Sequence, residues 1–151
     1  MPDEYSFSDS VHVDASPRQV YDTVSDVTRH GEWSVFTTRA TWESGDGPAV
    51  GARFTGDNSR PGRDWQTRSE VVVAEPGREF AWVVGDGRVR WAYELAPEDG
   101  GTRLTQRWDF LEAGRDFVRQ NFGEEGVALR TDDAHASIPT TLAAIKRVVE
   151  G

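Results

Sequence analysis

The sequence has no cysteine, which excludes several kinds of chemistry at once. Disulfide-stapled folds, thiol nucleophiles and zinc sites with cysteine ligands are all ruled out. The first residues, MPDEYSFSDS, lack the basic and apolar regions of a signal peptide. No run of the chain approaches the roughly 18 apolar residues of a membrane helix. We therefore expect no membrane insertion and a location in the cytoplasm.

Motifs for metals, cofactors and nucleophilic catalysis are also missing. The three histidines lie far apart in sequence, and no carboxylates recur at the spacing of metal ligands. There is no G-x-S-x-G elbow, and GARFTG at residues 51–56 lacks the Lys-Ser/Thr ending of a phosphate loop. The sequence therefore predicts no metal site and no cofactor.

The chain is short of positive charge. Its 151 residues carry a formal net charge of -9, and its pI is near 4.8. Such a chain repels phosphate backbones and anionic lipid headgroups, so a nucleic-acid partner is not expected. Arg60, Arg63 and Arg68 lie close in sequence. They form either a local basic patch or part of a solvated loop.

What is present begins with a strand and a short helix. Residues 5–13 alternate between apolar and polar side chains, as a half-buried strand does. Ser16 is a plausible helix N-cap, and Pro17 stands at the first helical position, where no backbone N–H is needed. Apolar residues then recur at helical spacing, and we expect Gly31 to break this helix. A second short turn is predicted around Val27–Gly31.

Six further strand-like runs follow, separated by the turn signals GDGP, SRPGRD, PG, DG and EDGG. Short loops place consecutive strands side by side and antiparallel, and DG indicates a two-residue hairpin. From Ala113 the pattern is mostly helical, with interruptions expected at Gly123 and Gly126 and a kink or new turn at Pro139. An apolar stripe marks the end of this helix: Leu142, Ile145, Val148 and Val149.

This order of elements predicts the fold class. We expect an α+β helix-grip domain over residues 1–151. A curved antiparallel sheet of about seven strands wraps around a long C-terminal helix, with two short helices after the first strand.

Several segments carry a family resemblance over nearly the whole chain. VHVDASPRQVYDTVSDVTRHGEWS at residues 11–34 resembles the opening of helix-grip proteins, the START/birch-pollen-allergen or SRPBCC superfamily. GARFTGDN, PGREFAW, WAYELAPEDGGTRLTQ and the C-terminal helix are similar to the group described as polyketide cyclase/dehydrase and lipid transport. The resemblance implies an apolar or polycyclic ligand held between sheet and long helix. It leaves function open, and it also allows a homodimer.

Strand alternation predicts which side chains face the space beneath the helix, and this set is rich in aromatic rings. The rings either fill the core or line a ligand cavity, in which polar residues among them would orient the ligand. The candidate ligand-binding residues are Phe54, Trp65, Thr67, Trp82, Trp91, Tyr93, Gln106, Trp108 and Phe110.

Candidates for acid–base chemistry are few. Helical spacing turns His135 toward the space beneath the helix, or else leaves it on the helix surface or as a core histidine with its hydrogen bonds satisfied. Tyr93 is the other catalytic candidate. His12 is expected to face solvent, and His30 is expected in a turn with no assigned role.

Two segments are candidates for the mouth of the cavity. FTGDNSRPGRDW, residues 54–65, has turn character and is either a gate or a plain hairpin loop. Trp33 and Phe36 either close the same mouth or pack the short helices onto the sheet.

Three functions remain open on this evidence. The first is binding or transport of a hydrophobic small molecule such as a lipid, polyketide or aromatic metabolite. The second is an aromatase/cyclase-like enzyme that acts on a polyketide in the same cavity, and the third is an interaction domain with a filled core.

Overall fold

The structure is a computed structural model that describes residues 4–43 and 47–151. In chain order the elements are β1 (Ser6–Val13), α1 (Pro17–Val24), a 3₁₀ helix (Val27–Glu32), β2 (Thr37–Trp42), β3 (Arg53–Arg60), β4 (Arg63–Glu75), β5 (Glu79–Val84), β6 (Val89–Glu98), β7 (Gly101–Phe110) and α2 (Glu112–Glu150). The strands form one antiparallel sheet of order β1-β7-β6-β5-β4-β3-β2. The predicted helix-grip α+β fold is confirmed.

The start of α1 follows from its capping residues. The Ser16 hydroxyl accepts a hydrogen bond from the Gln19 backbone N–H, and the Gln19 side chain accepts one from the Ser16 N–H. The expectation that Gly31 ends this helix is wrong, because α1 already ends at Val24. Gly31 lies inside the 3₁₀ helix, where a Cβ would collide with the backbone carbonyl of Thr38. A close approach of backbones therefore explains this glycine better than helix termination does.

Two of the predicted turns differ from the structure. Residues 55–60 continue β3, so the β3–β4 connection is only Pro61–Gly62. Turn-forming residues such as Asp57 and Asn58 are held in the strand by pairing with β2 and β4. The β5–β6 connection spans residues 85–88 rather than two residues, because Val84 pairs with Val89. Of the predicted GDGP turn, Gly45 and Asp46 lie outside the described residues.

The sheet bends toward α2, and two irregularities in its pairing contribute to the bend. The register shifts between Val71 and Val73 on β4 and between Thr37 and Arg39 on β2, and such bulges sharpen local twist. α2 packs against β1 and β7. Its buried side chains recur every three or four residues: Val127, Thr131, Ala134, Ile138, Leu142 and Ile145. Near its end, the Lys146 ammonium donates to the His12 carbonyl at 2.7 Å.

α2 is two helical segments joined at one glycine. Gly123 has φ 72° and ψ -175°, which is not helical, and the predicted interruption at this residue is confirmed. The interruption predicted at Gly126 is wrong, because that residue is helical. Pro139 also lies inside the helix. Although α2 is long, none of the helices in the described ranges combines the length and apolarity that a membrane crossing needs.

Candidate functional site

A cavity of about 600 Å³ lies between the concave face of the sheet and α2. Inward-facing residues of β3 to β7 form its walls, and α2 contributes residues such as Val118, Ala134 and Ser137. The structure places all nine candidate ligand-binding residues along this cavity: Phe54, Trp65, Thr67, Trp82, Trp91, Tyr93, Gln106, Trp108 and Phe110. A space of this size accommodates a drug-sized ligand.

Trp82 lies at the centre of the aromatic wall. Its ring is stacked with that of Trp91, with 6.5 Å between the ring centroids and 18° between the planes. Phe54 and Tyr93 contact it at 6.0 and 5.6 Å. Register explains the grouping, because Trp82 pairs directly with Trp91, which in turn pairs with Trp108. These cross-strand pairs present ring surfaces to the cavity.

His30 is a cavity residue that the sequence did not reveal. The 3₁₀ helix carries its imidazole inward, against the rings of Trp33, Phe54 and Trp82. Burial lowers its pKa to about 4, so the ring is neutral at pH 7. One ring nitrogen hydrogen-bonds the Val24 backbone, while Nε2 is buried without a partner among the described residues. The Val24 carbonyl can only accept, so the proton lies on Nδ1 and Nε2 is a free acceptor.

A second unpaired acceptor comes from β7. The side-chain oxygen of Gln106 is buried and has no hydrogen-bond partner within the described part of the chain. Gln106 pairs across the strands with Tyr93, whose buried hydroxyl hydrogen-bonds the Trp33 side chain. Burial raises the pKa of Tyr93, so this hydroxyl stays protonated at neutral pH. The cavity therefore offers two acceptors and a phenol.

Three polar residues on the wall formed by β2, β3 and β4 hydrogen-bond to one another. The Thr37 hydroxyl donates to the Asn58 side-chain oxygen at 2.7 Å. The Asn58 amide donates to the Thr67 hydroxyl oxygen at 3.2 Å. This chain of bonds explains why Asn58, predicted in a turn, is buried inside a strand. It also means that Thr67 already has a partner.

Three arginines gather at one end of the cavity, and we call Arg60, Arg63 and Arg130 the arginine cluster. Arg60 forms an ion pair with Asp133 at 2.5 Å. The guanidinium of Arg63 lies 5.1 Å from the ring of Trp65 and 4.7 Å from that of Phe122, which Arg130 also approaches at 5.7 Å. Burial, together with the positive charges of Arg63 and Arg60, lowers the pKa of Arg130.

From the sequence, Arg60, Arg63 and Arg68 form either a basic patch or part of a solvated loop. The structure separates the three residues. Arg60 and Arg63 line the cavity, whereas Arg68 faces outward and forms an ion pair with Glu43 at 2.7 Å. Arg130 is not a candidate in the sequence analysis, because the sequence around a lone arginine on a polar helical segment does not reveal which face of the helix it occupies.

The catalytic candidates separate in the structure. Tyr93 lines the cavity, but His135 does not. The His135 ring stacks on Phe7 of β1 at 4.4 Å, and its Nε2 hydrogen-bonds the Glu4 carbonyl at 3.1 Å. Trp33 and Phe36 both line the cavity, whereas His12 lies outside it, with its Nδ1 3.2 Å from a carboxylate oxygen of Glu98. In residues 4–43 and 47–151, no three acidic or histidine side chains form a group that could hold a metal.

Comparison with solved structures supports this architecture. A polyketide-cyclase-like protein from Corynebacterium glutamicum is 46% identical, with a TM-score of 0.72 and coverage of 99% of this chain and 94% of its own. The di-domain ARO/CYC StfQ of the steffimycin biosynthetic pathway is 18% identical, with a TM-score of 0.73, 97% of this chain covered and half of its own. Protein NE0264 from Nitrosomonas europaea is 14% identical, with a TM-score of 0.70 and coverage of 99% and 97%. The last two show the fold alone.

No curated protein matches the chain in sequence. A family model does match it, over residues 4–150. Its span covers nearly the whole chain and includes every residue of the cavity wall. The chain therefore belongs to the family described as polyketide cyclase/dehydrase and lipid transport.

Proposed function

We propose that the protein binds a hydrophobic, ring-bearing small molecule in the cavity between the sheet and α2. The ligand's apolar body lies against Trp82, Trp91 and Trp108. Its polar edge presents an O–H or N–H donor to Nε2 of His30 and to the side-chain oxygen of Gln106. A lipid, a polyketide or an aromatic metabolite meets this description.

The observation that carries the proposal is a pair of acceptors inside an aromatic cavity, Nε2 of His30 and the Gln106 side-chain oxygen, that have no partner among the described residues. Leaving one buried polar group unsatisfied costs about 1–3 kcal/mol, so two such groups favour a partner that supplies donors. In a filled core without a ligand, both groups would need ordered water or would stay unpaired. The cavity volume of about 600 Å³ gives that partner room.

Cavity filling tests this proposal with a matched pair of neighbouring residues. Ser137 lines the cavity, whereas Ala136 on the same helix is exposed. We expect Ser137→Phe to abolish binding of hydroxylated aromatic probes, followed by quenching of tryptophan fluorescence, because the new ring occupies the ligand's space. Ala136→Phe adds the same ring on the outside and should bind as the wild type does.

Native mass spectrometry of protein purified from its own host supplies the second measurement, because it detects a retained ligand directly. If neither method shows binding to the wild-type protein, the proposal fails and the interaction domain gains support. If Ser137→Phe binds the probes as tightly as the wild type, the ligand does not occupy this cavity.

An aromatase/cyclase-like enzyme is the second candidate, and the neutral imidazole of His30 favours it. A protonated Tyr93 hydroxyl and an unprotonated His30 nitrogen line one cavity, so a ketone oxygen would meet a donor and the acidic C–H beside it would meet a base. A pKa of about 4 makes that base a weak one. His135 of α2 does not serve as this base, because its ring stacks on Phe7 and hydrogen-bonds the Glu4 carbonyl instead of lining the cavity.

Turnover of a model poly-β-ketone tests the enzyme. We expect a true cyclase to lose activity in both His30→Gln and Tyr93→Phe while His135→Gln remains active. A protein that binds the ketone but returns it unchanged is a carrier.

A further inference from the structure

We propose that the ligand carries an anionic group, a carboxylate or a phosphate, which is held by the arginine cluster at the mouth of the cavity. This inference rests on the proposed ligand binding and adds the charge and the direction of the ligand. The ring-bearing end of the ligand enters first, with its rings against Trp82 and its donor edge at His30, and the anion remains at Arg63 and Arg130.

The meander brings the cationic side chains to one end of the sheet. β3 ends at Arg60 and β4 begins at Arg63, so both flank the Pro61–Gly62 hairpin. The β5–β6 loop lies at the same end and carries Arg88, whose guanidinium is 3.7 Å from the ring of Phe117. α2 runs past this end and adds Arg130. Hairpin ends and one helix thus surround the cavity mouth.

The charge at this mouth is opposite to that of the whole chain. Arg60, Arg63, Arg88 and Arg130 line the cavity, and Asp133 is the one carboxylate among its described lining residues. The chain as a whole has a net charge of -9. Arg63 and Arg130 have no carboxylate within 4.0 Å in the described chain. On the outer face of the sheet Arg53, Arg90 and Arg107 are paired, and Arg39 has no ion pair with another described residue.

Packing alone does not explain this concentration of charge. Arg63 lies against ring faces, which occupies the flat side of the guanidinium and leaves the N–H edge for an oxygen acceptor in its plane. Mutual repulsion of the arginines and burial of Arg130 are unfavourable until an anion offsets them. A planar carboxylate or a phosphate fits the geometry of such N–H edges.

A matched pair of fluorescent probes tests the inference. Anilinonaphthalene sulfonate is anionic, and phenylnaphthylamine is the same arylamine without the sulfonate. We expect the double variant Arg63→Gln/Arg130→Gln to weaken the sulfonate probe by at least about tenfold, because two charge-assisted hydrogen bonds are lost. Phenylnaphthylamine should bind both proteins within about twofold, because it depends on the aromatic wall.

Arg147→Gln is the control, since Arg147 is exposed, outside the cavity and free of ion pairs in the described chain. It removes one positive charge and should leave both probes unchanged. Within the described chain neither arginine of the double variant has a carboxylate partner, so their removal strands no buried anion there. Thermal unfolding of each variant reports whether it is folded.

A competition arm distinguishes the two sources of negative charge. Dodecanoate, dodecyl phosphate and dodecanol displace phenylnaphthylamine from the wild-type protein, and we expect both anions to outcompete the alcohol. The stronger anion indicates which group the site prefers. Equal competition by dodecanol, or equal weakening of both probes in the double variant, would overturn the anion site while leaving cavity binding intact. Failure of both probes to bind the wild-type protein would overturn the proposed function, and the anion site with it.

Discussion

At the scale of a single residue, His30 links stability to pH. Its pKa falls from 6.5 to about 4 on folding because burial penalises the charged ring. Between these values the unfolded chain binds more protons than the folded one. The stability that the neutral His30 contributes is therefore complete above pH 6.5 and is lost as the pH falls toward 4. The full shift corresponds to about 3 kcal/mol.

We therefore expect the difference in unfolding free energy between wild type and His30→Gln to change with pH. Lowering the pH from about 7.5 to about 5 should reduce the free energy of unfolding of the wild type, relative to that of His30→Gln, by about 2 kcal/mol, as measured by urea unfolding. Both proteins contain the same carboxylates and the other two histidines, so the pH dependence due to those groups cancels in the difference. Parallel pH profiles for the two proteins would show that the ring is accessible to protons in the folded state.

Gln106 gives a second prediction at this scale. Its side-chain oxygen has no partner among the described residues, which destabilises the ligand-free protein. Gln106→Met, which is similar in volume and apolar, should therefore raise the free energy of unfolding by about 1 kcal/mol. The same change should weaken a hydroxylated ligand about twofold to tenfold, because one hydrogen bond is lost. Urea unfolding and fluorescence titration measure the two effects. A variant that is less stable than the wild type would show that Gln106 already has a partner.

At the scale of an element, the break in α2 depends on Gly123. Its φ of 72° and ψ of -175° lie in a region that side chains other than glycine avoid. Gly123→Ala should therefore destabilise the protein by about 1–3 kcal/mol in thermal or urea unfolding. The sign of the change in stability shows whether the helix is interrupted at Gly123, because the same substitution inside a continuous helix would stabilise the helix by about 1 kcal/mol.

The break also positions residues of the cavity mouth. The segment before Gly123 carries Phe117 and Phe122, which are 37% and 45% exposed and lie against Arg88 and Arg63. If α2 were straight, Phe117 and Phe122 would not lie beside Arg88 and Arg63. Large exposed apolar side chains at a cavity mouth are suited to contact with an incoming apolar ligand.

At the scale of the whole molecule, binding and stability are coupled. A ligand that binds only the folded state adds about 2.7 kcal/mol at a free concentration about 100 times its Kd. For a chain of this size the expected rise in Tm is about 5–10 °C. Differential scanning fluorimetry with the hydroxylated aromatic probes should show this rise for wild type and Ala136→Phe. An equal rise in Ser137→Phe would place the binding site elsewhere.

Much of the fold was predictable because local chemistry and global topology agree. Ser16 and Pro17 mark the start of α1, and strand alternation assigns Trp82, Tyr93 and Gln106 to the inner face. The errors lie where tertiary contacts override local preference. Asn58 is in a strand because neighbouring strands satisfy it, and Gly31 is inside a helix because a backbone passes close by.

By itself the sequence determined the order of the elements, the inner face of each strand and the nine candidate residues of the cavity wall. It could do so because periodicity and turn chemistry act over a few neighbouring residues. Only the tertiary structure decided that His30 is a buried, neutral acceptor and that Arg63 and Arg130 meet at the mouth. Burial and the electrostatic field at a site depend on residues distant in sequence, and these meet only when the sheet closes around α2.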